Sequence, residues 1–208
     1  MSVTEKKIEI FDDKYDDSVI RMPAVALRGI VVFPHDVMHF DVGRKISINA
    51  MNAAMNKNRT VFLVPQTDIA VEEPTGKDVY KVGVIARIRQ VLKISDDGIR
   101  VLVEGITRAK LYNFEVEKST SYATVTPLKD KVSRAKSAYK EVLVRRVHEG
   151  FEKLSSFMPK MPKDIKNTVM SANDPAFLAD YIAASIPVPV DDKQYVLEQL
   201  NPVKRLEV

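Results

Sequence analysis

The chain has 208 residues, of which 45% are hydrophobic and 29% charged, and its formal net charge is +4. It contains no cysteine, which excludes disulfides, thiolate zinc sites and a cysteine nucleophile. No run approaches the roughly 18 consecutive apolar residues that a membrane-spanning helix needs. We therefore expect one or two globular domains, no membrane contact and a reducing compartment, the cytoplasm.

The first segment, residues 1–20, holds six acidic and three basic side chains. This balance is the opposite of a secretory signal or an arginine-rich organelle presequence. Runs of like charge are usually solvated and disordered. The composition predicts a flexible acidic arm over residues 1–20.

Residues 21–128 have mostly the pattern of β-strands, because β-branched residues are frequent and partly alternate with polar ones. The segment 82–94 is longer than a usual strand, which predicts a bend or bulge and a small closed barrel. Ser95-Asp-Asp-Gly98 predicts a hairpin turn in which the glycine can take positive φ. One helix, over 44–57, interrupts the strands. The predicted strands are 22–27, 30–33, 60–64, 82–94, 99–105, 108–114 and 122–128.

After Pro127 the apolar residues recur with helical periodicity. The pattern predicts a long helix over 130–158, ended by Pro159, with Tyr139, Phe151 and Phe157 on its apolar stripe and in a core. Asn173 or Asp174 has the position of an N-cap residue before Pro175. Further helices are predicted over 163–170, 175–185 and 192–200. The final six residues begin another helix without completing it, so we expect a longer polypeptide.

The segment 129–166 is basic, with eleven basic and five acidic side chains. Basic helices bind phosphates, but single-strand binders interleave stacking aromatic residues, and here the aromatic residues fall on the apolar stripe. The alternative interpretation is a solvated helix face. We do not expect nucleic-acid binding as the main role.

Motifs that carry catalytic chemistry are absent: the sequence lacks a Walker A loop, a dinucleotide fingerprint, G-x-S-x-G and H-E-x-x-H. Two S-x-x-K strings, at 133–136 and 137–140, have the spacing of a Ser–Lys dyad, but chance explains them and their lysines lie on a charged helix face. His35 and His39 form the one metal-like cluster, which an extended backbone would separate. We expect no catalytic, metal or cofactor residue in this chain.

An ordered set of short motifs resembles the N-terminal domain of Lon proteases. The resemblance covers residues 21–208. Two departures are Asn201-Pro202, where the family often has Asp and an aliphatic residue, and the histidines at 35 and 39, where it more often has Gly or Pro. The motifs are PAVALRGIVVFP at 23–34, VGR at 42–44, EP at 73–74, VG at 82–83, VLVEG at 101–105, RA at 108–109, NDP at 173–175, LAD at 178–180, IA at 182–183, Pro187, KQ at 193–194, LE at 197–198 and RLE at 205–207.

The resemblance implies an α+β fold with a PUA-like β-barrel over 21–128 and an all-α bundle lobe over 129–208, whose last helix is cut at Val208. The parent would be a cytoplasmic, homohexameric, ATP-dependent serine protease that degrades misfolded and regulatory proteins. ATP, magnesium and the Ser–Lys dyad would belong to its other domains. This chain would recognise unfolded or degron-bearing proteins and support assembly. The alternatives are a stand-alone, cereblon-like binding module or a PUA-like nucleic-acid binder.

Weak binding of unfolded segments needs exposed apolar side chains. We expect the contact surface at the barrel rim, where apolar residues precede two bases. The alternative interpretation is that these side chains are core residues and solvated bases. The predicted contact residues are Val37, Met38, Phe40, Arg44 and Lys45.

Overall fold

A computed structural model describes residues 19–95 and 97–208. Almost all of the predicted acidic arm lies outside these residues. The described strands are β1 (Ile20–Leu27), β2 (Val37–Val42), β3 (Thr60–Pro65), β4 (Val82–Ser95), β5 (Gly98–Glu117) and β6 (Thr120–Pro127). The described helices are α1 (Lys45–Met55), α2 (Ser137–Phe157), α3 (Lys163–Ser171), α4 (Pro175–Ser185), α5 (Val190–Glu198) and α6 (Pro202–Glu207).

The strands form one sheet in the order β2-β5-β4-β3-β1-β6, and β6 also pairs with β5. Five strands therefore form a closed ring of pairings, with β2 attached to β5 outside the ring. The long strand β5 makes this possible, because its first part pairs with β2 and its last part with β6. The pairing of β1 with β3 is parallel, and the others are antiparallel.

The predicted irregularity of β4 is confirmed, since its register with β5 shifts at three places. The predicted hairpin is also present, with Ser95 paired to Gly98. The expected positive φ at the turn glycine is absent, since Gly98 does not have a positive φ angle. A Cβ at this position would lie 2.8 Å from Ser95 Oγ, a contact that rotation of the serine side chain relieves.

Two strand predictions are corrected by the structure. Residues 99–105 and 108–114 belong to one strand, β5, and residues 30–33 form no strand. The latter run is apolar because Val31, Val32 and Phe33 are buried in the core. A Cβ on Gly105 would lie 2.0 Å from the Phe33 carbonyl oxygen, so the missing side chain lets this segment pack against β5.

The long helix is shorter than predicted, because residues before Ser137 are not helical. Lys131 N–H instead donates to the Leu200 carbonyl at 2.7 Å, which ties this segment to the connection between α5 and α6. Phe151 is buried as predicted, but Tyr139 and Phe157 are 49% and 83% exposed, so their placement in a core was wrong. The N-cap prediction for α4 is confirmed by Asp174, whose carboxylate accepts from Phe177 N–H at 2.8 Å.

Side chains from the strands and from the helices pack together in a common apolar core. One buried cluster combines side chains of the strands and α1 with Ala183 of α4 and Leu197 of α5. A second cluster lies among strand residues such as Phe62 and Ile85, and a third lies among the helices around Phe151 and Leu178. The helical half therefore packs directly on the strand half.

Candidate functional site

The strand β2 carries three of the five predicted contact residues on alternating faces. Val37, His39 and Asp41 point outward, and Val37 is 58% exposed. Phe40 is 6% exposed and belongs to the shared core, against which Met38 is partly buried. Phe40 therefore does not face a partner, because the period-two alternation of a strand turns it inward.

Arg44 is half-buried and bound within the fold. Its guanidinium donates to Gln66 Oε1 at 2.7 Å and also to the Ala26 and Glu72 carbonyl oxygens. Burial lowers the pKa of Arg44, and the positive charge of Arg28 lowers it further. The structure gives Arg44 an internal role.

Lys45, the first residue of α1, is exposed. Two of the five predicted contact residues are exposed, Lys45 and Val37. Met38 is partly accessible.

The outer face of β2, β5 and β4 presents exposed apolar side chains that the sequence reasoning missed. Leu92 and Ile94 are each 49% exposed at the end of β4 near the hairpin. Leu102 of β5 lies opposite His39 and is partly buried. We call Val37, Leu92, Ile94 and Leu102 the hairpin surface. The sequence pattern does not reveal which β4 side chains of this surface point outward, because the bulges in β4 break the simple alternation of exposed and buried residues.

Charged side chains on this face are paired with each other. Arg100 donates to both carboxylate oxygens of Asp41, at 2.7 and 2.9 Å, across the β2–β5 ladder. Hydrogen bonding and charge from Arg100 lower the pKa of Asp41, and the same contacts raise the pKa of Arg100. Arg89 and Glu104 form a second pair. The exposed apolar side chains therefore lie among mutually neutralised charges.

A second feature is a cleft of about 1120 Å³ between the strand and helical halves. One wall comes from residues 33–37 and 106–108, and the other comes from α3 and α4. We call this feature the inter-lobe cleft. Val37 lines its rim and also belongs to the hairpin surface.

Buried charges line the inter-lobe cleft and join four parts of the chain. Arg108 of β5 donates from Nη1 to Asp180 of α4 at 3.0 Å and from Nε to the Leu197 carbonyl at 2.8 Å. Arg205 of α6 donates to the same carboxylate at 3.2 Å and also to Asp130, which precedes α2. We call Arg108, Asp180, Arg205 and Asp130 the ionic network.

The ionic network is charge-balanced but strongly desolvated. The side chains of Arg108, Asp180 and Arg205 are 4%, 9% and 0% exposed. Burial raises the pKa of Asp180, and the hydrogen bonds and charge of Arg108 act against this rise. A buried carboxylate between two guanidinium groups is stable only while its partners remain in place.

Aromatic side chains form part of the opposite cleft wall. Phe177 and Tyr181 lie one helical turn apart on α4, with ring centroids 5.4 Å apart and planes inclined by 19°. Both rings are partly buried, and Ile165 of α3 lines the same wall. This wall offers apolar and aromatic surface to the space between the halves.

The two histidines of the metal-like motif lie on different elements. His35 has φ of 65° in the turn before β2 and donates its backbone N–H to the Gly105 carbonyl, whereas His39 lies within β2. Within residues 19–95 and 97–208, no group of three or more His, Cys, Asp or Glu side chains is placed to hold a metal ion. No helix in the described part of the chain is long and apolar enough to cross a membrane.

The described residues therefore form an α+β domain that carries an exposed apolar patch on its sheet and a cleft between its strand and helical halves. The model of the ATP-dependent protease La (LON) substrate-binding domain family matches residues 21–208. The chain belongs to this family.

Curated relatives named Lon protease support the assignment. The chain is 36% identical to that of Heliobacterium modesticaldum over 198 residues, and 41% identical to that of Haemophilus influenzae over 188 residues. These alignments cover 95% and 89% of this chain, but 24% and 23% of the relatives. The chain therefore spans about a quarter of the length of these relatives.

Solved structures support the fold. The N-terminal domain of the Mycobacterium avium complex Lon protease superposes with a TM-score of 0.71 at 20% identity, covering 90% of this chain and 95% of that one. A Lon N-terminal domain protein from Xanthomonas campestris superposes with a TM-score of 0.63 at 14% identity and the same coverages. The α+β architecture expected from the sequence is confirmed at this level.

Proposed function

We propose that residues 21–208 hold substrate polypeptides for a Lon-type, ATP-dependent serine protease. The match of the substrate-binding domain model to this whole range carries the proposal. The substrates are unfolded or degron-bearing proteins, including misfolded and regulatory ones. This chain has no catalytic or cofactor-binding role, and the ATPase and peptidase chemistry, with ATP and magnesium, belongs to other domains of the parent.

The hairpin surface supports this role through weak apolar contacts. Val37, Leu92 and Ile94 each expose about half of their surface. Covering half of such a side chain contributes about 1 kcal/mol, so these three contacts contribute about 3 kcal/mol. Contacts of this strength hold an unfolded segment and release it quickly, as transfer to a protease pore requires.

We extend the same proposal to the lobes and the assembly of the parent protease. The closed ring of strand pairings over residues 21–128 corresponds to a PUA-like β-barrel lobe, and residues 129–208 form a helical bundle lobe. The parent is a cytoplasmic homohexamer, and the helical lobe supports its assembly. The exposed Tyr139, Val142 and Phe157 on α2 are available for contacts with a neighbouring subunit.

The experiment removes apolar side chains from the hairpin surface. The double substitution Leu92→Ser with Ile94→Ser should weaken binding to fluorescein-labelled, reduced and carboxymethylated α-lactalbumin about 30-fold, measured by fluorescence anisotropy. The matched control, Val132→Ser with Tyr195→Ser, removes two large exposed side chains from the helical half and should leave the affinity unchanged. Equal binding by the wild-type chain and the hairpin double variant contradicts the proposal.

A further inference from the structure

We propose that the inter-lobe cleft is a second binding site, which takes one bulky uncharged side chain, aromatic or aliphatic, of a polypeptide held at the hairpin surface. This inference rests on the proposed function and adds to it a site and a side-chain preference. The shape of the cleft, the state of its charges, its aromatic wall and its connection to the hairpin surface support this inference.

The cleft has the size of a binding site. Its volume of about 1120 Å³ slightly exceeds the range of about 300–1,000 Å³ that is usual for ligand sites, which leaves ample room for one bulky side chain. Both halves of the molecule line it, and the shared core and the ionic network hold those halves together. The space is therefore already formed before a ligand enters, which lowers the entropic cost of binding.

The charged side chains in the cleft are already occupied, which disfavours a charged ligand. Arg108 and Arg205 are balanced by Asp180 and Asp130 within the ionic network. Asp174 accepts from Phe177 N–H as the N-cap of α4. A charged ligand would lose hydration without gaining an unbalanced partner from the ionic network.

Asp36, at the cleft rim, is the remaining carboxylate of the lining. Burial raises the pKa of Asp36, which disfavours its charged form, while the nearby positive charge of Lys193 acts in the opposite direction. The lysine therefore offsets part of the desolvation of this carboxylate. The balance of charge favours a neutral side chain in the cleft.

The apolar part of the lining fits such a side chain. The stacked rings of Phe177 and Tyr181 are partly accessible, and stacking on an aromatic pair adds to the gain from apolar burial. Ile106 and Leu128 are partly accessible on the side of the strands, and Ile165 is partly accessible on α3. A phenyl, indole or leucyl group would contact apolar atoms from both halves.

Val37 connects the two sites. It lies at the start of β2, is 58% exposed, lines the cleft rim and belongs to the hairpin surface. An extended polypeptide that covers Leu102 and Val37 therefore continues toward the cleft. The same polypeptide can occupy both surfaces, and this continuity selects a polypeptide as the occupant of the cleft.

The test uses the absence of tryptophan from the chain, because the indole emission of a tryptophan-containing probe is then free of protein signal. The probe is a dye-labelled, unstructured peptide of about 20 residues, with a Leu-Ile pair, a Gly-Ser spacer and a single Trp. Its twin carries Ala in place of Trp. We expect the Trp peptide to bind the 208-residue chain about tenfold more tightly than the twin, with blue-shifted indole emission on binding.

Variants of the cleft wall decide where the indole lies. Tyr181→Ala should remove both the affinity difference between the peptides and the blue shift, whereas Tyr181→Phe, which keeps the ring, should retain them. Tyr195→Ala is the matched control, because Tyr195 is 55% exposed on α5 and does not line the cleft. If circular dichroism shows that Tyr181→Ala is unfolded, Ala176→Leu is used in its place. The added bulk at the cleft wall should weaken the binding of the Trp peptide only.

The outcomes separate the two proposals. If both peptides bind the wild-type chain equally and both weaken in the Leu92→Ser, Ile94→Ser variant, the hairpin proposal stands and the cleft proposal is overturned. A Trp-peptide advantage that persists in Tyr181→Ala or Ala176→Leu also overturns the cleft proposal, as does a failure of both peptides to bind. Concentration-dependent dimerisation that Tyr181→Ala abolishes would assign the cleft to a second copy of this chain and would equally overturn it.

Discussion

Two Arg–Asp contacts in this molecule use the same chemical groups in opposite surroundings. Arg100 and Asp41 lie on the outer sheet face with side chains 47% and 51% exposed, whereas Arg108 and Asp180 lie between the two halves, 4% and 9% exposed. If one member of the exposed pair is removed, water solvates the charge that remains. If one member of the buried pair is removed, the remaining charge is desolvated and has lost its partner. Burial therefore makes the second pair structural and leaves the first as a solvated pair on the surface.

The largest expected effect comes from breaking the ionic network. Asp180→Ala leaves Arg108 and Arg205 buried without their shared carboxylate, which should lower the free energy of unfolding by about 3–5 kcal/mol, measured by urea denaturation. The matched change on the sheet face, Asp41→Ala, should leave the unfolding midpoint nearly unchanged. Similar losses in the two variants would show that burial does not separate the two pairs.

The two faces of β2 provide the next comparison. Phe40→Ala opens a cavity in the shared core and should lower the free energy of unfolding by about 3 kcal/mol. Val37→Ala, three residues earlier on the outer face, should change it by less than about 0.5 kcal/mol. Thermal and urea denaturation measure both, and a larger loss for Val37→Ala would contradict the assignment of the faces.

A smaller effect is expected where the two halves meet near the surface. The Tyr80 hydroxyl donates to Asp191 of α5 at 2.6 Å, and this contact raises the pKa of Tyr80 to about 12. Because the folded pKa exceeds the usual value near 10, its contribution to stability is present below pH 10 and is lost as the pH rises towards 12.

Ultraviolet difference titration of the wild-type chain against Tyr80→Phe should show a phenolate transition with a midpoint near pH 12. In addition, Tyr80→Phe should lower the free energy of unfolding at pH 7 by about 1 kcal/mol. A difference transition near pH 10 would show that Tyr80 is not held by Asp191.

The smallest effect is expected when nucleic acid is added to the chain. If the bases of 129–166 form a solvated face, the chain should show no saturable binding to a single-stranded oligonucleotide by filter binding at physiological salt. Submicromolar binding with a steep fall in affinity on adding salt would favour the nucleic-acid alternative and would make this basic stretch a functional surface.

Particular elements show how far the sequence could predict the fold. The strands β1, β3, β4 and β6, the helix α1 and the N-cap Asp174 follow from local signals: alternation, helical spacing and turn chemistry. The strand β2 was missed because its alternation is brief and its pairing with β5 is a long-range contact. The run 30–33 was mistaken for a strand because burial alone produces the same apolar composition.

The structure places some of the predicted contact residues differently from what their sequence pattern indicated. Phe40 and Arg44 were expected to face a partner, but the structure turns Phe40 inward and binds Arg44 to Gln66 and backbone carbonyls. Leu92 and Ile94 were not singled out, since exposure within a bulged strand depends on register and not on composition. Local signals do not report which face of an element a neighbour will cover.

By itself the sequence determined the class of fold, the change from strands to helices after Pro127 and a family resemblance that the comparisons confirmed. These properties depend on residues close together in the chain. The ionic network, the inter-lobe cleft and the hairpin surface were decided only by tertiary structure, because each combines residues that are distant in sequence. Arg108 and Asp180 are 72 positions apart, and only the packing of α4 against β5 turns two ordinary charged residues into one buried pair.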